Sequence, residues 1–202
     1  MIAIIDYGCG NLFSLSSSLE SLGIECKITS DRNEIINADK IILPGVGAFA
    51  DAAKKLKESG LGELVVSLAS EGKPILGICL GMQMLFEKSF EYGAHMGLGL
   101  IKGYVGPLEG QIPAELKIPH MGWNKLNFAK ADPIFKYSEP GDYMYFVHSF
   151  YARNCVENTL AFAEYGVAVP AIVKSGNVYG MQFHPEKSGA KGLALLKAFS
   201  EI

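Results

Sequence analysis

Three side chains in this sequence carry the means for covalent catalysis on an acyl group. They lie in Gly77-Ile78-Cys79-Leu80-Gly81 and in His184-Pro185-Glu186. A thiolate can attack an acyl carbon, an imidazole can take the thiol proton and pass it to the leaving amine, and a carboxylate can orient the ring. The G-x-C-x-G segment follows an apolar, strand-like run, Pro74–Ile78, and opens a short helix. A nucleophile in that setting sits on a sharp strand-to-helix turn, and both glycines make room for the backbone. The turn lifts the sulfur out of the sheet, and the helix N-terminus favours its thiolate. The Leu80 amide then points to where an oxyanion forms. By itself the pentapeptide fits a buried structural cysteine equally well. His184-Pro185-Glu186 shifts the balance, because it follows Met181-Gln182-Phe183 at the end of another strand. A lone His-x-Glu is structural or occasionally metal-ligating; beside a cysteine elbow it favours catalysis.

Leu43-Pro44-Gly45-Val46-Gly47-Ala48-Phe49 takes another strand end into a glycine-rich loop and matches G-x-G-x-x-A. A dinucleotide site is one reading, weakened because the motif is not on the first strand and Pro44 precedes it. After the first strand, Gly8 and Gly10 have Phe13 where a third glycine should stand. A loop whose exposed amides complete an oxyanion hole suits the neighbouring motifs better. His95, in a glycine-rich turn, is expected to be solvated. His120 and His148 could line a site, although each alone is more often a hydrogen-bonded structural histidine. Cys9, Cys26 and Cys155 have no such context and read as small hydrophobes.

The elements that must position these groups alternate between strand and helix. Ile2–Asp6, Ile24–Thr29, Lys40–Leu43 and Pro74–Ile78 read as buried strands. The stripe Leu12, Leu15, Leu19, Leu22 reads as a helix with Asn11 at its N-cap. Ala48–Lys57 and Leu61–Glu71 read as further helices, stopped by Gly60 and Gly72. This rhythm implies a mostly parallel sheet with helices on both faces. Beyond Gly99 the short runs Leu100–Val105, Ile118–Met121, Tyr143–Val147, Leu160–Glu164, Ala171–Lys174 and Asn177–Phe183 read as a mixed or antiparallel extension of that sheet. Gly192–Phe199 closes the chain as a helix.

With 202 residues, the chain suits one α/β domain, 1–202, and is too short for two ordinary ones. A net charge of −3 without a basic run argues against a nucleic-acid or anionic-membrane surface. Met1–Asp6 has no basic leader, and no apolar stretch reaches spanning length. None of the 4 cysteines stands within metal-clip or CxxC distance of another, so a reducing, cytoplasmic setting is the expectation.

With these motifs in this order, the sequence resembles the class I (triad) glutamine amidotransferases over essentially its full length. Among them it is similar to the glutaminase subunits of imidazole glycerol phosphate synthases. The class-level residues are Gly77-Ile78-Cys79-Leu80-Gly81-Met82-Gln83 and His184-Pro185-Glu186. The subfamily residues are Asp6–Leu12, Pro44–Phe49, Pro119–Asn124, Tyr145–Phe150 and Glu186-Lys187-Ser188. The resemblance implies a flavodoxin-like sheet and a glutamyl thioester on Cys79, without cofactor or metal. It places glutamine against Gln83, the Gly45-Val46-Gly47 loop and the Ser149-Phe150 backbone. That loop supplies the family's second oxyanion donor after a rearrangement. The implied partner is a (β/α)8-barrel cyclase subunit that forms a heterodimer with the glutaminase and receives its ammonia for histidine biosynthesis. Asn11, Trp123, Tyr145 and Lys187 match residues that face this partner.

Other readings stay open on the sequence. A paralogous glutaminase could feed a different acceptor, such as a nucleotide sugar, because acceptor recognition belongs to the partner. A free-standing thiol hydrolase would explain Cys79 and His184 without a partner surface. A binding domain without catalysis would leave Cys79 no more reactive than a free thiol.

Overall fold

A computed structural model describes residues 1–202. The first half alternates as the sequence leads one to expect. β1 (Ile2–Ile5), α1 (Leu12–Ser21), β2 (Cys26–Thr29), α2 (Arg32–Asn37), β3 (Lys40–Leu43), α3 (Phe49–Glu58), α4 (Leu61–Ser70), β4 (Ile75–Ile78) and α5 (Leu80–Met84) follow one another. β1 and β4 are buried at every position, as parallel strands covered on both faces must be. Side chains alternate between the faces, so Ile5 joins the core beneath α3 and α4 while Ile4 joins the core beneath α1 and the C-terminal helix. Both are fully buried, and truncating either to Ala would cost about 2–5 kcal/mol. α2 is too short to show periodicity, yet its start is marked: the Asp31 side chain accepts from the amides of Asn33 and Glu34. Asn11 does stand at the N-cap position of α1, but its side chain makes no capping bond.

The second half departs from the expected single sheet. It contains β5 (Phe86–Ser89), β6 (His95–Met96), β7 (Ile101–Pro107), β8 (His120–Lys125), β9 (Asn127–Phe128), β10 (Tyr143–His148), β11 (Phe150–Arg153), β12 (Thr159–Glu164), β13 (Ala168–Ser175), β14 (Val178–Met181) and α6 (Gly189–Glu201). The main sheet has 8 strands in the order β2-β1-β3-β4-β14-β13-β12-β9, and only β13, β12 and β9 extend it in antiparallel fashion. β11-β7-β5-β6 form a separate sheet, and β10-β8 a two-stranded ribbon. β10 buries alternate residues and β8 buries only His120, so the ribbon suits a cover with one wet face rather than a doubly covered interior. β14 is the reverse case. It is buried at every position and inserts, parallel, between β4 and β13, although it comes last in the sequence. Its register sets Met181 beside Ile78, so the two strands end together. No helix is long and apolar enough to cross a membrane.

Candidate active site

Cys79 follows β4 and precedes α5 with φ 55° and ψ −112°, a backbone that non-glycine residues seldom adopt. The strain is held by close packing. A Cβ at Gly81 would lie 1.9 Å from the Leu43 carbonyl oxygen, and one at Gly77 would lie 2.6 Å from the Gly81 oxygen. The Cys79 amide donates to the Met181 carbonyl at 2.7 Å, which ties the elbow to β14. Because β14 ends level with β4, the chain beyond it delivers His184 to the same cavity as Cys79.

The His184 Nδ1 and Glu186 Oε1 atoms are 2.8 Å apart, and both side chains are 3% exposed. Burial opposes the charged form of the imidazole. Interactions with the Cys79 sulfur and the Glu186 carboxylate outweigh it and raise the ring to about 9. Glu186 Oε2 has no hydrogen-bond partner, so the carboxylate is committed to the histidine alone. The backbone also holds the ring in place, since the His184 amide donates to the Tyr145 carbonyl at 3.0 Å and Ser188 Oγ donates to the His184 carbonyl at 2.6 Å. A nucleophile, a base and a carboxylate in this order can form and resolve a thioester.

The cavity over Cys79 has a volume of about 300 Å³ and is lined by Val46, Gly47, Leu80, Gln83, Ser149 and Phe150 among others. Gln83 Nε2 donates to the Phe150 carbonyl at 2.9 Å and to Gln182 Oε1 at 3.1 Å. The Gly45–Gly47 loop is pinned at both ends. Tyr7 Oη donates to the Pro44 carbonyl at 2.7 Å, and the Phe49 amide donates to Glu91 Oε2 at 2.6 Å. Its two glycines serve different ends. Gly47 has φ 96° with open space around it, whereas a Cβ on Gly45 would lie 2.6 Å from the Gly81 amide nitrogen. Gly45 is therefore buried for close approach and does not line the cavity, while Val46 and Gly47 are exposed. A larger cavity of about 730 Å³ lies between α3, α4 and residues 94–98, but no cysteine, serine or threonine lines it, so size does not select the site.

The structure adds Glu91, Tyr92 and Val147 to the lining, and His148, one of the two histidines that could line a site, is there as well, whereas His120 is not. Buried Gln182 points Nε2 at the Cys79 sulfur, 4.0 Å away. Gln182 stood next to a catalytic motif, which was a signal of sorts. Glu91 and Tyr92 arrive on the turn after β5, a strand with no periodicity to announce it. His95, expected in solvent, is half-buried, with Nε2 unpaired.

The four residues matched to a partner face also meet in part. Trp123 is 56% exposed and contacts Tyr145 edge to face, with ring centroids 6.1 Å apart across the β8–β10 ribbon. Lys187 is exposed, and Asn11 is half-buried at the start of α1. Met121 and Phe13 are also largely exposed apolar residues.

The model of the family Glutamine amidotransferase class-I matches residues 3–201. The imidazole glycerol phosphate synthase subunit HisH of Oceanobacillus iheyensis is 50% identical over 203 residues, covering 100% of this chain and 99% of the relative. The protein of the same name from Caldanaerobacter subterraneus is 51% identical over 203 residues, covering 100% and 98%. Among solved structures, a glutamine amidotransferase superposes with a TM-score of 0.77 at 22% identity over 100% of this chain and 98% of that one. PurLQS from Thermotoga maritima superposes with a TM-score of 0.74 at 23% identity over 99% and 97%. These last two likenesses speak for the fold.

Proposed function

Because the chain belongs to the class-I glutamine amidotransferases, we propose that it is the glutaminase subunit of an imidazole glycerol phosphate synthase, with 1–202 as one amidotransferase unit. The observation that carries this reading is the convergence of Cys79, His184 and Glu186 at two level strand ends, in a chain half identical to relatives of that name along its whole length. Cys79 attacks the carboxamide carbon of glutamine, and His184 moves the thiol proton to the leaving nitrogen. Ammonia departs, and water, deprotonated by His184, cleaves the thioester to glutamate. Glu186 stabilises the imidazolium in both halves. The Leu80 amide is one oxyanion donor, and the Val46–Gly47 segment provides the second after a peptide rotation. Gln83 and the Ser149-Phe150 backbone seat the substrate.

The exposed Trp123 and Lys187, with Tyr145 and Asn11, suit the anchor and charged rim of an interface with a (β/α)8-barrel cyclase in a cytoplasmic heterodimer. The Tyr145 carbonyl holds the His184 amide, so this surface is one residue from the catalytic base. The test is Cys79→Ala in the reconstituted complex. Glutamine-dependent product formation should vanish, and formation from ammonium salt should survive. Loss of both in an intact complex would refute an ammonia-supplying role.

A further inference from the structure

Two buried histidines that the mechanism does not use stand at the glutamine cavity, His148 in its lining and His120 next to it. His120 Nδ1 lies 3.0 Å from His148 Nε2, and His148 Nδ1 lies 2.9 Å from the Phe150 carbonyl oxygen. At the far end, Asn124 Nδ2 lies 3.3 Å from His120 Nε2. The Asn124 amide has one orientation, because its Oδ1 accepts from the Lys125 amide at 2.8 Å and its Nδ2 donates to the Glu164 carbonyl at 2.9 Å. Both ends of the chain then impose the same polarity. A carbonyl only accepts, so His148 must carry its proton on Nδ1 and accept at Nε2. An amide nitrogen only donates, so His120 must accept at Nε2 and carry its proton on Nδ1. The middle contact joins one donor to one acceptor without conflict.

We infer that His148 is a positioning residue for glutamine, acting through a one-way hydrogen-bond chain, Asn124 to His120 to His148 to the Phe150 carbonyl. This rests on the glutaminase reading above. The Phe150 oxygen has two lone pairs, one taken by Gln83 Nε2 at 2.9 Å and the other by His148. The chain thereby fixes the backbone and the side chain that seat the substrate. Burial lowers both rings, His120 to about 4 and His148 to about 3, the latter also repelled by His120 and His184. Both stay neutral near neutral pH, as the polarity requires. His120 is clamped by stacking on Phe146 at 4.8 Å and Tyr165 at 3.9 Å between centroids, which opposes turning its ring over.

The test pairs kinetics of the complex with ring-nitrogen NMR of the free chain. His148→Ala should raise KM for glutamine roughly tenfold, the net worth of about one hydrogen bond, and change kcat much less. His148→Asn places an amide donor where Nδ1–H stood and should restore KM. Alkylation of Cys79 by iodoacetamide should keep its wild-type rate in both variants. In the wild type, the 15N shifts of both histidines should report protonated Nδ1 and unprotonated Nε2. An unchanged KM in an active His148→Ala enzyme, a failure of Asn to rescue, or Nε2–H tautomers would overturn the inference. A wild-type complex that releases no glutamate would overturn the functional reading instead, and the tautomers would still decide the polarity of the chain.

Discussion

Replacing Glu186 by Gln keeps the shape of the triad and removes one charge. In the native site Glu186 Oε1 is 2.8 Å from His184 Nδ1, and Oε2 has no partner. With charge centres about 4 Å apart and an effective dielectric near 20, the carboxylate stabilises an imidazolium by about 4 kcal/mol, close to a thousandfold. The amide cannot recover this. If its oxygen faces Nδ1–H, the NH2 group enters the unpartnered Oε2 position and costs about 1–3 kcal/mol. If the NH2 group faces Nδ1 instead, the ring must protonate Nε2, the nitrogen that should receive the thiol proton. Turnover measured as glutamate release by the complex at saturating glutamine should therefore fall on the order of a thousandfold. Stability offers a second measurement. His184 is raised from 6.5 to about 9, so the stability it contributes is fully present below about pH 6.5 and is lost as pH rises through about 9. Denaturant melts of Glu186→Gln should show a flatter slope across that window. A loss of less than tenfold in turnover, with folding intact, would refute the role given to the charge.

A glutamine-mimicking electrophile should label Cys79 alone on peptide mapping, because burial pushes the Cys155 thiol up to about 11 and also raises Cys26. Equal labelling elsewhere would count against the elbow. The loop glycines should behave differently. Gly45→Ala would force the Gly81 backbone away by several tenths of an ångström, lowering both Tm and turnover. Gly47→Ala meets no atom and bears only the strain of φ 96°, about 1–2 kcal/mol, so it should chiefly reduce partner-stimulated turnover. Trp123→Ala and Lys187→Ala should weaken stimulation by the cyclase subunit more than basal hydrolysis, read as glutamate release with and without partner and acceptor. A high basal rate that no partner changes would favour a free-standing hydrolase.

The sequence by itself determined the parts whose signals are local. β3 spans Lys40–Leu43 as the apolar run implied, and α3 and α4 lie within a residue of the expected bounds, because helix periodicity and glycine stops act over a few residues. The elbow was legible too, since G-x-C-x-G states its own need for space. Tertiary structure decided what depends on distant partners. Nothing in Val178–Met181 announced that the last strand would enter the middle of the sheet, yet that insertion brings His184 to Cys79. Burial on both faces drives it, and burial is a property of the assembled layers. Gly45 and Gly47 looked alike in sequence, and only packing against Gly81 separates the one needed for room from the one needed for its backbone angle. His120 and His148 are 28 residues apart, and their tautomers follow from Asn124 and Phe150 at the two ends of a chain that exists only once β8 and β10 have paired. Hydrogen-bond polarity is set by neighbours in space, and a linear sequence does not name them.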